Sequence, residues 1–110
     1  MRLILLLMLM LNIFSQSSAA EEYVVSQQNK SFSEDKIIIN VGDTVHFLNK
    51  DPFFHNIFSL SDEQFFDLGS YPKDESRSVV FDTPGVIEVE CAIHSKMFLL
   101  IEVNNSEENK

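Results

Sequence analysis

The chain has only one cysteine, Cys91, in 110 residues, so no intrachain disulfide can form. A small domain held together by disulfide bridges is thereby excluded. Cations are also scarce: 8 Lys and Arg stand against 17 Asp and Glu, for a formal net charge of −9. Nucleic-acid binders carry the opposite balance on their contact face, so nucleic acid is not an expected partner. No apolar run is long enough to span a bilayer. The longest, Leu3 to Phe14, is broken by Asn12 and falls well short of the roughly 20 residues a span needs. What remains is 45% apolar and 23% charged, with ten Phe. That is the composition of one globular domain, neither disordered nor fibrous.

Residues 1–20, MRLILLLMLMLNIFSQSSAA, read as a secretory signal. Arg2 supplies the positive n-region, Leu3–Phe14 the apolar h-region, and Ser17-Ser18-Ala19-Ala20 the small-residue cleavage site, followed by the acidic pair Glu21-Glu22. Cleavage after Ala20 leaves residues 21–110 as a single domain. No cysteine lies at that site to take a bacterial lipid anchor, so a periplasmic chain without a membrane anchor is expected, and a monomer. Of the four methionines only Met97 remains after cleavage.

No internal repeat or linker interrupts residues 21–110. Short β-branched and aromatic runs alternate with turn residues, the pattern of an all-β sandwich or barrel. Strands are expected at Tyr23–Gln27, Lys36–Asn40, Thr44–Asn49, Phe54–Ser59, Ser78–Phe81, Val86–Cys91 and Met97–Val103. Gly42-Asp43 and Pro84-Gly85 mark turns, Ser61–Phe66 reads as a single helical turn capped by Ser61, and Asn104–Lys110 as a frayed tail. Period-two alternation assigns faces. Ile87, Val89 and Cys91 share a face opposite Glu88 and Glu90, so the thiol points to the core. Met97 shares the parity of Leu99, Ile101 and Val103 and also points inward. His46 alternates with Val45 and Phe47 and reads as an ordinary surface histidine.

Cys91-Ala92-Ile93-His94-Ser95-Lys96-Met97 holds the only cysteine and methionine of the mature chain, with a histidine between them. His55 lies upstream in Pro52-Phe53-Phe54-His55-Asn56. Two imidazoles (His55, His94), one thiolate (Cys91) and one thioether (Met97) describe a trigonal His₂Cys site with a weak axial Met, a ligand set that selects copper and serves electron transfer. Thiolate and thioether are soft enough for Cu(I), and imidazole accepts both oxidation states. Zinc prefers Cys, His and carboxylate ligands, and methionine is an unusual one for it; c-type haem needs C-x-x-C-H, and no calcium loop of D-x-D-x-D-G type is present. The acidic excess reads as a solvated surface that repels acidic proteins and favours basic ones.

At these residues the sequence resembles the cupredoxins, most closely the small plastocyanin/amicyanin-like blue copper proteins, among them bacterial chains labelled methylamine-utilisation proteins. The stretches that carry the resemblance are Val41-Gly42-Asp43-Thr44-Val45-His46-Phe47-Leu48-Asn49-Lys50-Asp51, Phe54-His55-Asn56, Phe81-Asp82-Thr83-Pro84-Gly85 and Cys91 through Met97. It implies an eight-strand Greek-key β-sandwich with one type 1 copper ion near one end, His55, Cys91 and His94 as equatorial ligands and Met97 as the axial one. It further implies that Asn56 ties the His55 loop to the Cys91 loop by hydrogen bonds. The edge of His94 becomes the electron port, ringed by Pro52, Phe53 and Ile93. Ser95 is a departure, because such short ligand loops often place Pro there, whose ring restrains φ.

The expected function is single-electron transfer between periplasmic redox proteins, a cytochrome or a dehydrogenase docking near His94, with no enzymatic chemistry of its own. Two alternatives remain open at this point. One is a copper carrier or chaperone that uses the same soft ligands to move the ion. The other is an interaction domain whose site is vestigial.

Overall fold

The computed structural model describes residues 19–105. Most of the expected signal, residues 1–18, and the tail end, residues 106–110, lie outside the described residues. Alternation of apolar and polar residues resolves into nine strands: β1 (Glu22–Gln28), β2 (Ser31–Phe32), β3 (Lys36–Asn40), β4 (Thr44–Asn49), β5 (His55–Ser59), β6 (Phe66–Tyr71), β7 (Ser76–Val80), β8 (Gly85–Cys91) and β9 (Phe98–Asn104). They form a four-stranded sheet, β2-β1-β4-β7, and a five-stranded sheet, β3-β9-β8-β5-β6. The chain passes between the sheets at the β2–β3, β3–β4, β4–β5, β6–β7 and β7–β8 connections, as a Greek-key sandwich does.

Both sheets contribute to one core. β4 alternates without exception, with Val45, Phe47 and Asn49 buried and Thr44, His46 and Leu48 half-buried. Opposite it, Ile87, Val89 and Cys91 of β8 and Leu99, Ile101 and Val103 of β9 turn inward. Fully burying a Leu, Ile, Val or Phe side chain contributes about 1.5–3 kcal/mol, and this shared interior is what fixes the register of every strand. β1 pairs parallel with β4 and β3 pairs parallel with β9, so each sheet mixes parallel and antiparallel neighbours. Among the described residues no helix is long and apolar enough to cross a membrane.

Several sequence expectations are corrected. The described residues form nine strands where the resemblance implies eight, and Ser31–Phe32, a short hairpin partner of β1, is one that the sequence reading leaves out. The segment Phe66–Tyr71, to which the sequence pattern assigns no strand, forms β6. Its alternation is hidden by Gly69, at φ +71°, and by a register shift between Asn56 and Phe58 on the partner strand. Ser61–Phe66 makes a plain turn, closed by the Gln64 amide on the Ser61 carbonyl at 3.2 Å, and not a helical turn. The Ser61 hydroxyl instead accepts the Glu88 amide at 2.9 Å. Asn104 is not frayed: it ends β9, and its carbonyl accepts the Val41 amide at 2.8 Å. His46 is half-exposed as expected and meets Glu22 Oε1 at 2.8 Å across the β1–β4 pair.

Candidate metal centre

Three chain segments meet at one end of the sandwich. His55 is the first residue of β5, and Cys91 is the last of β8, its neighbour in the five-stranded sheet. Ile57 pairs with Cys91, which brings the His55 ring beside the thiol. His94 follows in the loop before β9. The Met97 amide donates to the His94 carbonyl at 3.0 Å, so residues 94–97 form a tight turn that folds His94 back over the sulfur. His55 Nδ1 then lies 3.6 Å from Cys91 Sγ, and His94 Nδ1 lies 3.8 Å from it. All three ligand atoms fall within 4.8 Å of one another, close enough to share one ion. His55 and Cys91 are buried, whereas His94 is partly exposed.

The positions of these side chains are set by the residues behind them. The His55 Nε2 edge meets Asp51 Oδ2 at 2.7 Å, with both side chains buried. If Nε2 carries the proton, it donates to that carboxylate and leaves the Nδ1 lone pair facing the sulfur. Asp51 is itself held by the Asn29 amide at 2.7 Å and the Lys30 amide at 3.1 Å. Those two residues form the β1–β2 hairpin turn with φ of 57° and 56°, the left-handed geometry a two-residue turn of this kind requires. Burial alone would raise the Asp51 pKa, but the bonds from His55, Lys30 and Asn29 outweigh it and hold the carboxyl below its ordinary value.

Partial burial, followed by the charges of His55 and Lys30, lowers the His94 pKa below its ordinary value. The imidazole is therefore largely neutral, with a free lone pair, at neutral pH. The Phe53 ring sits 5.4 Å from the His55 ring and 5.3 Å from the His94 ring, covering the gap between the two imidazoles.

Of the residues singled out in the sequence, His55, Cys91 and His94 converge. Met97 is buried at the end of the same loop, as its parity requires. Asn56 does join the two loops, but through its backbone: its carbonyl accepts the Ala92 amide at 2.9 Å. Its side-chain Oδ1 is buried without a hydrogen-bond partner. Sequence reasoning missed Asp51. The only available signal was a carboxylate four residues before a histidine, in a loop where no periodicity predicts contact.

Comparison with protein-family models finds no match, and comparison with curated protein sequences finds none either. Solved structures do match. An amicyanin variant in its Cu(I) form superposes with a TM-score of 0.71 at 21% identity, covering 79% of this chain and 86% of that one. A purple cupredoxin from Nitrosopumilus maritimus gives 0.66 at 23% identity, covering 78% of this chain and all of that one. A copper-containing nitrite reductase from Thermus scotoductus gives 0.69 at 23% identity. That match covers 84% of this chain but 24% of the reductase, so the chain spans about a quarter of that enzyme's length.

The fold is the cupredoxin fold.

On this cupredoxin scaffold the donor set suits a type 1 copper site. One soft sulfur and two imidazole nitrogens, all brought together by the fold, form the trigonal His₂Cys arrangement that favours copper over zinc or calcium. A rigid sandwich holding such ligands limits their movement when the ion's charge changes, and a small reorganisation favours electron transfer.

Proposed function

We propose that the protein is a periplasmic type 1 copper protein that carries single electrons between redox proteins. The observation that carries this reading is the convergence of His55 Nδ1, Cys91 Sγ and His94 Nδ1 within 4.8 Å at the tip of a cupredoxin fold. A bound copper ion supplies a one-electron Cu(II)/Cu(I) couple there. His55, Cys91 and His94 would hold it, with Met97 as a fourth and weaker ligand. Asp51 fixes the His55 ring, and Asn56 ties the two ligand loops through its carbonyl. Phe53 keeps water from the gap between the imidazoles. His94, the one ligand of the cluster that reaches solvent, is the route by which an electron enters or leaves.

In this reading residues 1–20 are a signal removed on export, residues 21–110 are the working domain, and the protein performs no substrate chemistry. A cytochrome or dehydrogenase docks transiently over His94, and weak redox encounters of this kind bury little surface. Support comes from the donor set, from the neutral His94, and from the half-exposed Phe53 and exposed Ile93 that flank the port.

The test is optical. Purified protein given cupric ion is expected to become intensely coloured, bleach with ascorbate and recover on reoxidation. Cys91→Ser is expected to lose that charge-transfer band, and a band that survives the substitution sinks the ligand set. Met97→Leu is expected to keep copper while raising the reduction potential, since the thioether stabilises Cu(II) more than a hydrocarbon does. A lowered potential in that variant would argue against an axial Met97.

A further inference from the structure

We infer that the face around His94 carries a cationic rim that docks an acidic patch on the partner, the reverse of what the chain's net charge implies. This rests on the electron-carrier reading and adds the chemistry of the partner. The described residues hold six Lys and Arg against fifteen Asp and Glu. Four of the six, Lys30, Lys50, Lys73 and Lys96, lie on the turns and loops at the metal-centre end. Lys30 and Lys96 line a hollow with Ile93, His94 and Ser95. Lys73 lines the adjoining hollow with Pro52, Phe53, Phe54 and Pro72. Lys30 Nζ also sits 5.7 Å from the centre of the Phe53 ring.

On those turns and loops the carboxylates are Asp51, Asp74 and Glu75, while exposed Glu34 and Asp35 before β3 and half-buried Glu90 before Cys91 stand further back along the strands. Asp51 is buried against His55, and Glu75 pairs with Arg77 at 3.2 Å. Asp74 is the exposed carboxylate left on the 72–75 turn. Exposed Glu21, Glu63 and Asp82 gather instead at the opposite end, where β4 and β8 begin: the Glu21 amide donates to buried Asp43, and Glu63 packs on Gly85. The molecule is thus polarised along its strands, with a cationic rim around exposed apolar Phe53, Phe54 and Ile93 and an acidic far end.

Such a field steers encounter and orients the port toward an anionic surface, while the apolar centre supplies the contact. A basic partner would be drawn to the wrong end, the one opposite the port.

Two measurements test this. The first uses the copper-free protein, so it does not depend on the electron-carrier reading. At low salt, hexaglutamate is expected to shift the backbone amide NMR signals of residues 29–30, 53–54, 73 and 93–96. Hexalysine is expected to shift those near Glu21, Asp43 and Asp82. Hexaglutamate signals confined to the far end, or absent, overturn the proposal.

The second compares the copper-loaded protein with the variant Lys30→Gln/Lys73→Glu/Lys96→Glu. Oxidation of the reduced protein by hexacyanoferrate(III) at low salt is expected to slow about tenfold or more in the variant. Oxidation by a cationic cobalt complex is expected to speed up. Equal rates for both oxidants in the two proteins overturn the docking face alone, whereas failure to take up copper overturns the electron-carrier reading and leaves the peptide result to decide this one. Should the triple variant fold poorly, Lys73→Gln/Lys96→Gln is expected to show the same direction with a smaller change, and no change there overturns the proposal.

Discussion

The carboxylate of Asp51 does more than any other unliganded group at the site, because it joins the left-handed Asn29-Lys30 turn to the buried edge of His55. Hydrogen bonds to a charged group contribute about 1.5–3 kcal/mol, so Asp51→Asn is expected to destabilise the copper-free protein by that order, read by urea unfolding at neutral pH. Copper affinity should fall roughly 10–100-fold, as expected when a ligand histidine loses its partner. The pH dependence has a definite sign. The folded Asp51 pKa lies below the ordinary 3.8. Its contribution is therefore complete above pH 3.8 and is lost as the pH falls through the folded value. The acid limb of the stability curve should flatten in Asp51→Asn, and an unchanged limb would show that Asp51 is not held as the geometry indicates.

At the level of elements, the ligand loop is a short turn whose ends are pinned to strands. The Met97 amide on the His94 carbonyl makes Ser95 the second residue of a four-residue turn, a position where proline's fixed φ is favoured. Ser95 is not among the residues with positive φ, so Ser95→Pro is expected to stabilise the copper-free protein by about 0.4–1 kcal/mol, chiefly by restricting the unfolded chain. A loss of stability in denaturant titration would show that the loop needs the Ser95 amide.

The same elements show what was legible in the sequence. Alternation in β8, and in the Met97–Val103 run that ends as β9, points Cys91 and Met97 inward, and the Cys91–His94 spacing keeps the second imidazole within one turn of the thiol. Asp51 was not legible, since its partners on the β1–β2 turn are 21 and 22 residues away and no residue-type pattern links a turn to a loop. Strand β6 was hidden because glycine and a register slip break its alternation. The resemblance implies that Asn56 ties the two loops without telling side chain from backbone, and the loop-to-loop bond runs through its carbonyl.

Across the whole molecule, the two sheets are joined by more than apolar contact. Tyr71, on β6 of the five-stranded sheet and paired with His55, donates its hydroxyl toward Gln27 Oε1 on β1 at 3.1 Å and the Phe47 carbonyl on β4 at 3.0 Å. Both acceptors belong to the four-stranded sheet, and Gln27 is fully buried. The phenol therefore clamps the sandwich one strand pairing away from the metal centre. Removing it strands buried acceptors, so Tyr71→Phe is expected to cost about 1–3 kcal/mol of stability. Burial holds the folded Tyr71 pKa far above its ordinary 10.0. A raised folded pKa means its contribution is complete below pH 10.0 and fades as the pH climbs toward the folded value, because the unfolded chain ionises first. The wild-type protein should accordingly lose stability above pH 10 while Tyr71→Phe, already weaker, loses less over the same range. Urea titrations of both copper-free proteins at pH 8 and pH 11 give the comparison. Parallel alkaline slopes would mean that the phenol is not the inter-sheet clamp. A changed copper colour in Tyr71→Phe would mean that the clamp also shapes the His55 edge of the site.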